Sequence, residues 1–143
     1  MEFRSPVADL QIPEVSLPEF VLGGLTEVDA GREAIVHHAT GQRLTFGQVR
    51  RDVEAVATWL AARGIGPGDA VTVALPNSPE FVTAFHGIVR SGAAASTANT
   101  VYQVRELAHV LRCAGSRLVV TNADLLQRVC AAAAAVGLAP SWA

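Results

Sequence analysis

The chain has 143 residues, about the size of one domain, and half of them are hydrophobic, which is enough apolar material for a substantial core. Charged residues make up 17% and the formal net charge is -2, with a pI near 6.0, so the basic footprint that nucleic acid demands is absent. All 11 basic residues are Arg and none is Lys, which excludes from this polypeptide a Walker-type phosphate loop, a Schiff base and a lysine general base.

Met1-Glu2-Phe3-Arg4-Ser5-Pro6 lacks the cationic and then apolar order of a signal peptide. The longest apolar run, near Val129 to Pro140, is interrupted by Gly137 and is too short to span a bilayer. The expectation is a soluble cytoplasmic protein without a membrane span. Pro6, Pro13 and Pro18 alternate with the apolar singles Val7, Leu10, Ile12, Val15 and Leu17, a spacing that predicts an extended arm laid over a surface. A short helix is predicted from Pro18 to about Val28, with Phe20, Val21, Leu22, Leu25 and Val28 giving it one buried side. The organisation expected is therefore an arm and short helix over residues 1–32, packing on an α/β unit over residues 33–143.

Ala34 to His37 and Arg43 to Thr45 read as strands around a Thr40-Gly41 turn, a small hairpin. Thr45-Phe46-Gly47-Gln48 fits a capping box, and Phe46, Val49, Val53, Val56 and Leu60 recur at helical steps until Gly64 ends the helix. Ala70 to Leu75 is short, β-rich and mostly apolar, as expected of a strand covered on both faces. A helix is predicted next, with Ser78 as cap, Pro79 at its first position and Glu80 at the positive end of its dipole; it buries Phe81, Val82, Phe85, Ile88 and Val89 and stops near Gly92. A strand at Ala93 to Thr97, a helix from Val104 to Ala114, a strand from Arg117 to Thr121 and a helix from Asn122 to Val136 complete the series. Strands alternating with helices across short turns imply parallel crossovers. The fold class predicted is α/β, a mostly parallel sheet flanked by helices and preceded by an extended arm and a small hairpin.

Gly64-Ile65-Gly66-Pro67-Gly68 leaves a helix and enters a strand, the reverse of a phosphate loop, and reads as a tight structural turn. Asn77 and Ser78 follow a strand and open a helix, where open α/β sheets bind ligands, so they are the candidates for cofactor contact; capping alone would also call for these residue types. His86, beside Phe85 on a helix, and Tyr102, in the loop after the small strand, are the candidates for substrate contact, against core or surface packing as the default for each. His37 and His38 point to opposite faces of a strand and cannot share a metal. His109 and Cys113, four apart on a helix, could share one but have no third ligand spaced to help, so no metal is expected. Cys113 and Cys130 lie within helical patterns and are expected to be buried, reduced thiols. No nucleophile-base arrangement stands out, and from the residues alone the reading stops at a soluble α/β domain without a visible active site.

Leu44-Thr45-Phe46 with its helix, Gly64-Ile65-Gly66-Pro67-Gly68-Asp69-Ala70-Val71, Leu75-Pro76-Asn77-Ser78-Pro79-Glu80-Phe81-Val82, Ala98-Asn99-Thr100-Val101-Tyr102 followed by Glu106-Leu107, and Gly115 to Thr121 resemble, in that order, the start of the adenylate-forming superfamily of acyl- and aryl-CoA synthetases, luciferases and adenylation domains. Phe3-Arg4-Ser5 and the proline-bearing arm look most like 4-coumarate:CoA ligases. Where relatives commonly have Asn-Pro before the aromatic loop, this chain has Asn99-Thr100, a less rigid turn. The resemblance implies a carboxylate attacking ATP to give an acyl-adenylate, followed by thioester formation with CoA. It implies ATP, Mg²⁺ and CoA as cofactors of a full-length enzyme, held by a Ser/Thr/Gly-rich loop ending in Lys-Gly, an aspartate, and a lysine on a mobile carboxy-terminal domain. All of these lie downstream of the matched region, so no catalytic residue carries over and no cofactor is expected for this chain alone.

On that resemblance residues 33–143 form the truncated amino-terminal subdomain of an AMP-binding domain. The leading expectation is a fragment of an aryl- or acyl-CoA ligase that does not adenylate by itself. The alternatives are a free-standing binding or oligomerisation module and, behind it, an enzyme of another kind using a recruited pocket. A family sheet ended at Ala143 should leave an apolar face or strand edge, so self-association or a partner chain is expected to cover it.

Overall fold

The computed structural model describes residue 7 and residues 10–138. Phe3 to Pro6 of the expected arm and the Pro140 end of the last apolar run lie outside the described residues.

Two short helices come first. In α1 (Leu17–Leu22) the Ser16 hydroxyl accepts from the Glu19 N–H, and in α2 (Glu27–Ala30) Thr26 and Asp29 form a reciprocal capping box. The single helix predicted from Pro18 to Val28 is thus two. Gly23-Gly24 supplies the poorest helix formers short of proline, and Thr26 restarts the helix with its own cap. Phe20 and Val28, expected on a buried side, are 66% and 80% exposed; Leu22 is the α1 residue that enters the core beside Val49 and Val53.

The hairpin forms as predicted from β1 (Glu33–Val36) and β2 (Arg43–Thr45), which pair antiparallel. Helix α3 (Phe46–Ala61) follows directly. Its cap is the predicted box, the Gln48 N–H donating to Thr45 Oγ1 at 3.2 Å and the Thr45 N–H to Gln48 Oε1 at 2.7 Å. Val49, Val53, Ala57 and Leu60 form its buried stripe.

The remaining elements alternate: β3 (Ala70–Ala74), α4 (Pro79–Arg90), β4 (Ala94–Thr97), α5 (Val104–Ala114), β5 (Ser116–Thr121) and α6 (Ala123–Ala134). The three strands are parallel in the order β4-β3-β5. The chain therefore steps from β3 outward to β4 and then back across β3 to β5. Right-handed crossovers in opposite directions carry their helices to opposite faces. Strand β3 shows the result in its own residues: Val71 and Val73 join Leu60, Ala84 and Ile88 in the core beneath α3 and α4, whereas Ala74 joins Leu107, Leu111, Val129 and Ala132 beneath α5 and α6. This central strand is covered on both sides, as its apolar run predicted.

The polar residue of β3, Thr72, is fully buried, and its hydroxyl meets Ser116 Oγ of the neighbouring strand at 2.6 Å. Gly115, at φ +60°, lets α5 turn straight into β5, a left-handed cap that any side chain would resist. Helix α4 buries Ala84, Gly87 and Ile88, while Phe81, Val82 and Phe85 are only half-buried. Cys113 is exposed because α5 buries Leu107, Ala108 and Leu111 and turns Cys113 outward; Cys130 is half-buried, and neither is in a disulfide.

Candidate functional site

Because β3, β4 and β5 run parallel, their carboxyl ends share one edge of the sheet, where the register sets Val73 beside Thr97 and Val120 and Ala74 beside Thr121. The loops leaving that edge are Leu75 to Ser78, Ala98 to Gln103, and Asn122. Crevices beyond such edges are where open parallel sheets bind ligands.

Asn77, Ser78 and Tyr102 all leave the sheet at this edge, and the structure gives them different employment. Ser78 caps α4, its hydroxyl accepting from the Phe81 N–H at 3.3 Å. Glu80 follows in the first turn, where its own backbone N–H and the Ser78 hydroxyl hold its carboxyl below the usual range. Asn77 is exposed, and among the described residues its side chain has no hydrogen-bond partner. Tyr102 is half-buried against the core beneath α5 and α6, so its ring packs in the manner of the default reading.

His86 is separate from this loop cluster, on α4 two turns past Ser78. Its ring meets Phe85 edge-on at 5.5 Å between centroids, and its buried Nδ1 has no hydrogen-bond partner. Burial disfavours the imidazolium and lowers its pKa.

Two contributors at the edge escaped the sequence reading. Asn122 caps α6 by accepting from the Leu125 N–H at 3.2 Å, and the signal was present: it stands at a strand-to-helix boundary as Ser78 does. Arg128 donates to the carbonyls of Thr100 at 2.9 Å and Tyr102 at 3.1 Å, bracing the loop after β4 from α6. No local pattern announces that contact, since its partners are 26 and 28 positions away. Arg128 supplies here the restraint that a proline in place of Thr100 would otherwise lend the turn.

The glycine-rich turn lies at the other end of the sheet, before β3. Asp69 accepts from the Gly66 N–H at 2.9 Å and from Arg117 at 2.9 Å, and Arg117 also donates to the Gly64 carbonyl at 3.0 Å. Those bonds, Gly66 first and Arg117 second, hold the Asp69 carboxyl below its usual range. The turn is thereby tied to the amino end of β5 and faces away from the candidate edge, as a structural turn.

Ser78 and Asn122 spend their side-chain oxygens on helix caps, and the chain has no Lys to meet a phosphate. Among the described residues no three His, Cys, Asp or Glu side chains converge on a point where a metal ion could sit, and no helix is long and apolar enough to cross a membrane.

Known proteins place this geometry. The chain is similar to 4-coumarate:CoA ligase 3 of Oryza sativa subsp. japonica, 35% identical over 128 residues that cover 89% of this chain and 23% of the ligase. Its fold matches the inhibitor-bound N-terminal domain of FACL13 from Mycobacterium tuberculosis at a TM-score of 0.73 and 30% identity, covering 80% of this chain and 29% of that one. It also matches the anthranilate CoA ligase AuaEII in complex with anthranoyl-AMP at a TM-score of 0.75 and 27% identity, covering 82% of this chain and 22% of the ligase. The chain thus spans under a quarter of that curated relative, and the region it resembles lies within an amino-terminal domain. The family model described as AMP-binding enzyme matches residues 26–140, from the cap of α2 through the sheet, its edge loops and α6, and with that extent the chain belongs to the AMP-binding enzyme family.

Proposed function

We propose that this chain is the amino-terminal portion of an ATP-dependent aryl- or acyl-CoA ligase, an enzyme that joins a carboxylate to ATP and passes the acyl group to CoA, and that these 143 residues do not form the acyl-adenylate alone. The observation that supports this most is the family match over residues 26–140 in a chain that spans only 29% of an isolated N-terminal domain of a related fold. The absence of Lys adds a chemical reason, because without a lysine side chain the polypeptide lacks the flexible ammonium point charge that neutralises transferring phosphates in such sites. On this reading residues 1–32 are an arm and short helices ahead of the subdomain and residues 33–143 are its α/β body; Leu10 and Ile12 of the expected arm are exposed, and Leu22 of α1 makes the packing contact. Asn77 and Ser78 border the cofactor side of the edge, and Tyr102 and His86 belong to the walls behind the substrate. ATP, Mg²⁺ and CoA serve the complete enzyme, and the cytoplasm is its compartment, where Cys113 and Cys130 stay reduced.

The test is carboxylate-dependent exchange of labelled pyrophosphate into ATP by the purified chain, with aryl and acyl acids as substrates. None is expected above a protein-free blank. Exchange that survives repurification and follows the chain through a second column would overturn the claim of incompetence.

Sheet topology supports a companion reading. Among the described residues β4 and β5 each pair on one side only, so both edges of the three-stranded sheet present unpaired backbone groups. We propose that self-association or a further polypeptide covers them. Sedimentation over a wide concentration range should show mass rising with concentration, and a constant monomer mass would count against self-association.

A further inference from the structure

We propose that the proline-bearing arm before α1 docks on the outer face of α5 of a second copy of this chain, in a reciprocal exchange that gives a two-fold dimer. From Asp9 to Val15 the arm carries two acids, Asp9 and Glu14, and no base. Its apolar side chains have no cover in a single chain: Leu10 is 84% exposed, Ile12 85% and Val15 50%. The outer face of α5 offers the complement. Arg105, His109 and Arg112 follow one another at four- and three-residue steps and so form one stripe along the helix, and all three are exposed. Arg105 and Arg112 have no ion-pair or hydrogen-bond partner among the described residues. The stripe borders a shallow groove lined in part by Tyr102, Ala108 and Ala135. Glu106, the acid among its walls, is committed to the Gln103 N–H at 2.8 Å in the cap of α5.

The dimensions agree. Arg105 and Arg112 stand about 10 Å apart along the helix axis, and their long side chains spread the guanidinium groups further. Asp9 and Glu14 are separated by at most about 17 Å of extended chain, and Pro13 keeps the residues around it extended. The groove of its own chain is beyond the arm's reach. Leu22 packs beside Val49 and Val53, and Arg90 of α4 meets Glu19 at 3.6 Å, so α1 is fastened to the layer of α3 and α4. Helices α5 and α6 cover the opposite face of the sheet. Between Glu14 and the start of α1 there is at most about 11 Å of chain, whereas the outer face of α5 lies beyond the sheet and its far helical layer, with about 10 Å added at each layer contact. A second copy supplies the arm that this distance denies to the first. The proposal rests on self-association of the chain but not on its sheet edges.

Sedimentation velocity of the full chain and of two charge-reversed variants tests this. The wild type should dimerise as its concentration rises, and less readily as sodium chloride is added, because the paired charges are solvent-screened. Asp9→Arg with Glu14→Arg, and Arg105→Glu with Arg112→Glu, should each raise the dissociation constant by about tenfold or more, since each sets like charges together. Mixed in equal amounts, the two variants should recover the dimer as a heterodimer, because both of its arm-to-groove contacts then join opposite charges. Leu10→Ser with Ile12→Ser should weaken the wild-type dimer by removing the apolar part of the contact. Glu14, Arg105 and Arg112 are exposed, and far-ultraviolet circular dichroism checks that every variant is folded. A dimer that persists unchanged in both charge-reversed variants would overturn the arm assignment and leave association through the sheet edges standing. A wild type that stays monomeric at every concentration would overturn both, and a mixture no more dimeric than its components would overturn the pairing of arm with groove.

Discussion

A Cβ built on Gly87 of α4 would lie 2.5 Å from both Cβ and Cγ1 of Val56 on α3. Real Cβ atoms do not approach so closely, so this glycine is what allows the two helices to pack at their present separation. The Val53 carbonyl, 3.1 Å from the same point, closes the other side.

Gly87→Ala should accordingly destabilise the fold by about 1–3 kcal/mol, the ordinary cost of overpacking a tight interface, even though alanine is the better helix former by ~1 kcal/mol. Val56→Ala in the same chain removes the Cγ1 clash and leaves the Cβ clash, so rescue should be partial. Chemical denaturation midpoints measure both, and an unchanged midpoint for Gly87→Ala would show that α3 and α4 separate freely.

Thr72 and Ser116 share a hydroxyl pair at 2.6 Å across β3 and β5. Thr72→Val keeps shape and leaves Ser116 Oγ without its partner, with an expected loss of about 1–2 kcal/mol. Adding Ser116→Ala removes the stranded group, and the double variant should recover most of that loss. Simple additivity of the two single losses would mean that the hydroxyls contribute independently of each other.

Asp69 carries an acid-sensitive tie. Its carboxyl is held low by the Gly66 N–H and then by Arg117. A depressed folded-state pKa means stabilisation that is complete above the ordinary aspartate value, about pH 4, and that disappears as pH falls through the lower folded value. Asp69→Asn should therefore melt below the wild type at neutral pH, with the two curves converging in acid. A gap that stays constant down to that range would place the contribution outside the charge.

His86 behaves with the same sign for a different reason. Burial lowers its imidazole pKa, so the folded state is favoured fully above the ordinary histidine value of about 6.5 and loses that advantage as pH falls through the depressed folded value. His86→Leu removes this term together with the unsatisfied Nδ1. Between pH 8 and pH 5, in round terms, the wild-type denaturation midpoint should fall further than that of His86→Leu. Parallel falls would show that the imidazole is accessible to protons in the folded chain.

Local chemistry was legible wherever one residue type could satisfy a local need. The Thr45 box, the Ser78 cap and Pro79 at the start of α4 stand where their patterns put them, because each answers to backbone groups three or four residues away, whereas Ala62 and Ser91 cap the ends of α3 and α4 and Gly64 and Gly92 turn the chain at positive φ just beyond. The helix expected from Pro18 to Val28 is two because Gly23-Gly24 interrupts the apolar pattern and the Thr26-Asp29 cap starts a new helix. Cys113 was expected inside from helical context alone, yet which side of α5 is inward depends on the sheet that it covers. In the candidate edge, Asn77 and Ser78 were visible from position, whereas the Arg128 brace required α6 to fold back over the loop after β4.

By itself, then, the sequence determined the alternation of strands and helices, their caps, the tight Gly64-to-Gly68 turn and the lack of lysine chemistry, all set by nearest neighbours or by composition. Tertiary structure alone decided that β3 lies between β4 and β5, that Val71 and Val73 face one helical layer while Ala74 faces the other, and that Gly87 must meet Val56. Those outcomes depend on which distant segments compete for the same apolar surface, and that competition is resolved only when the whole chain packs.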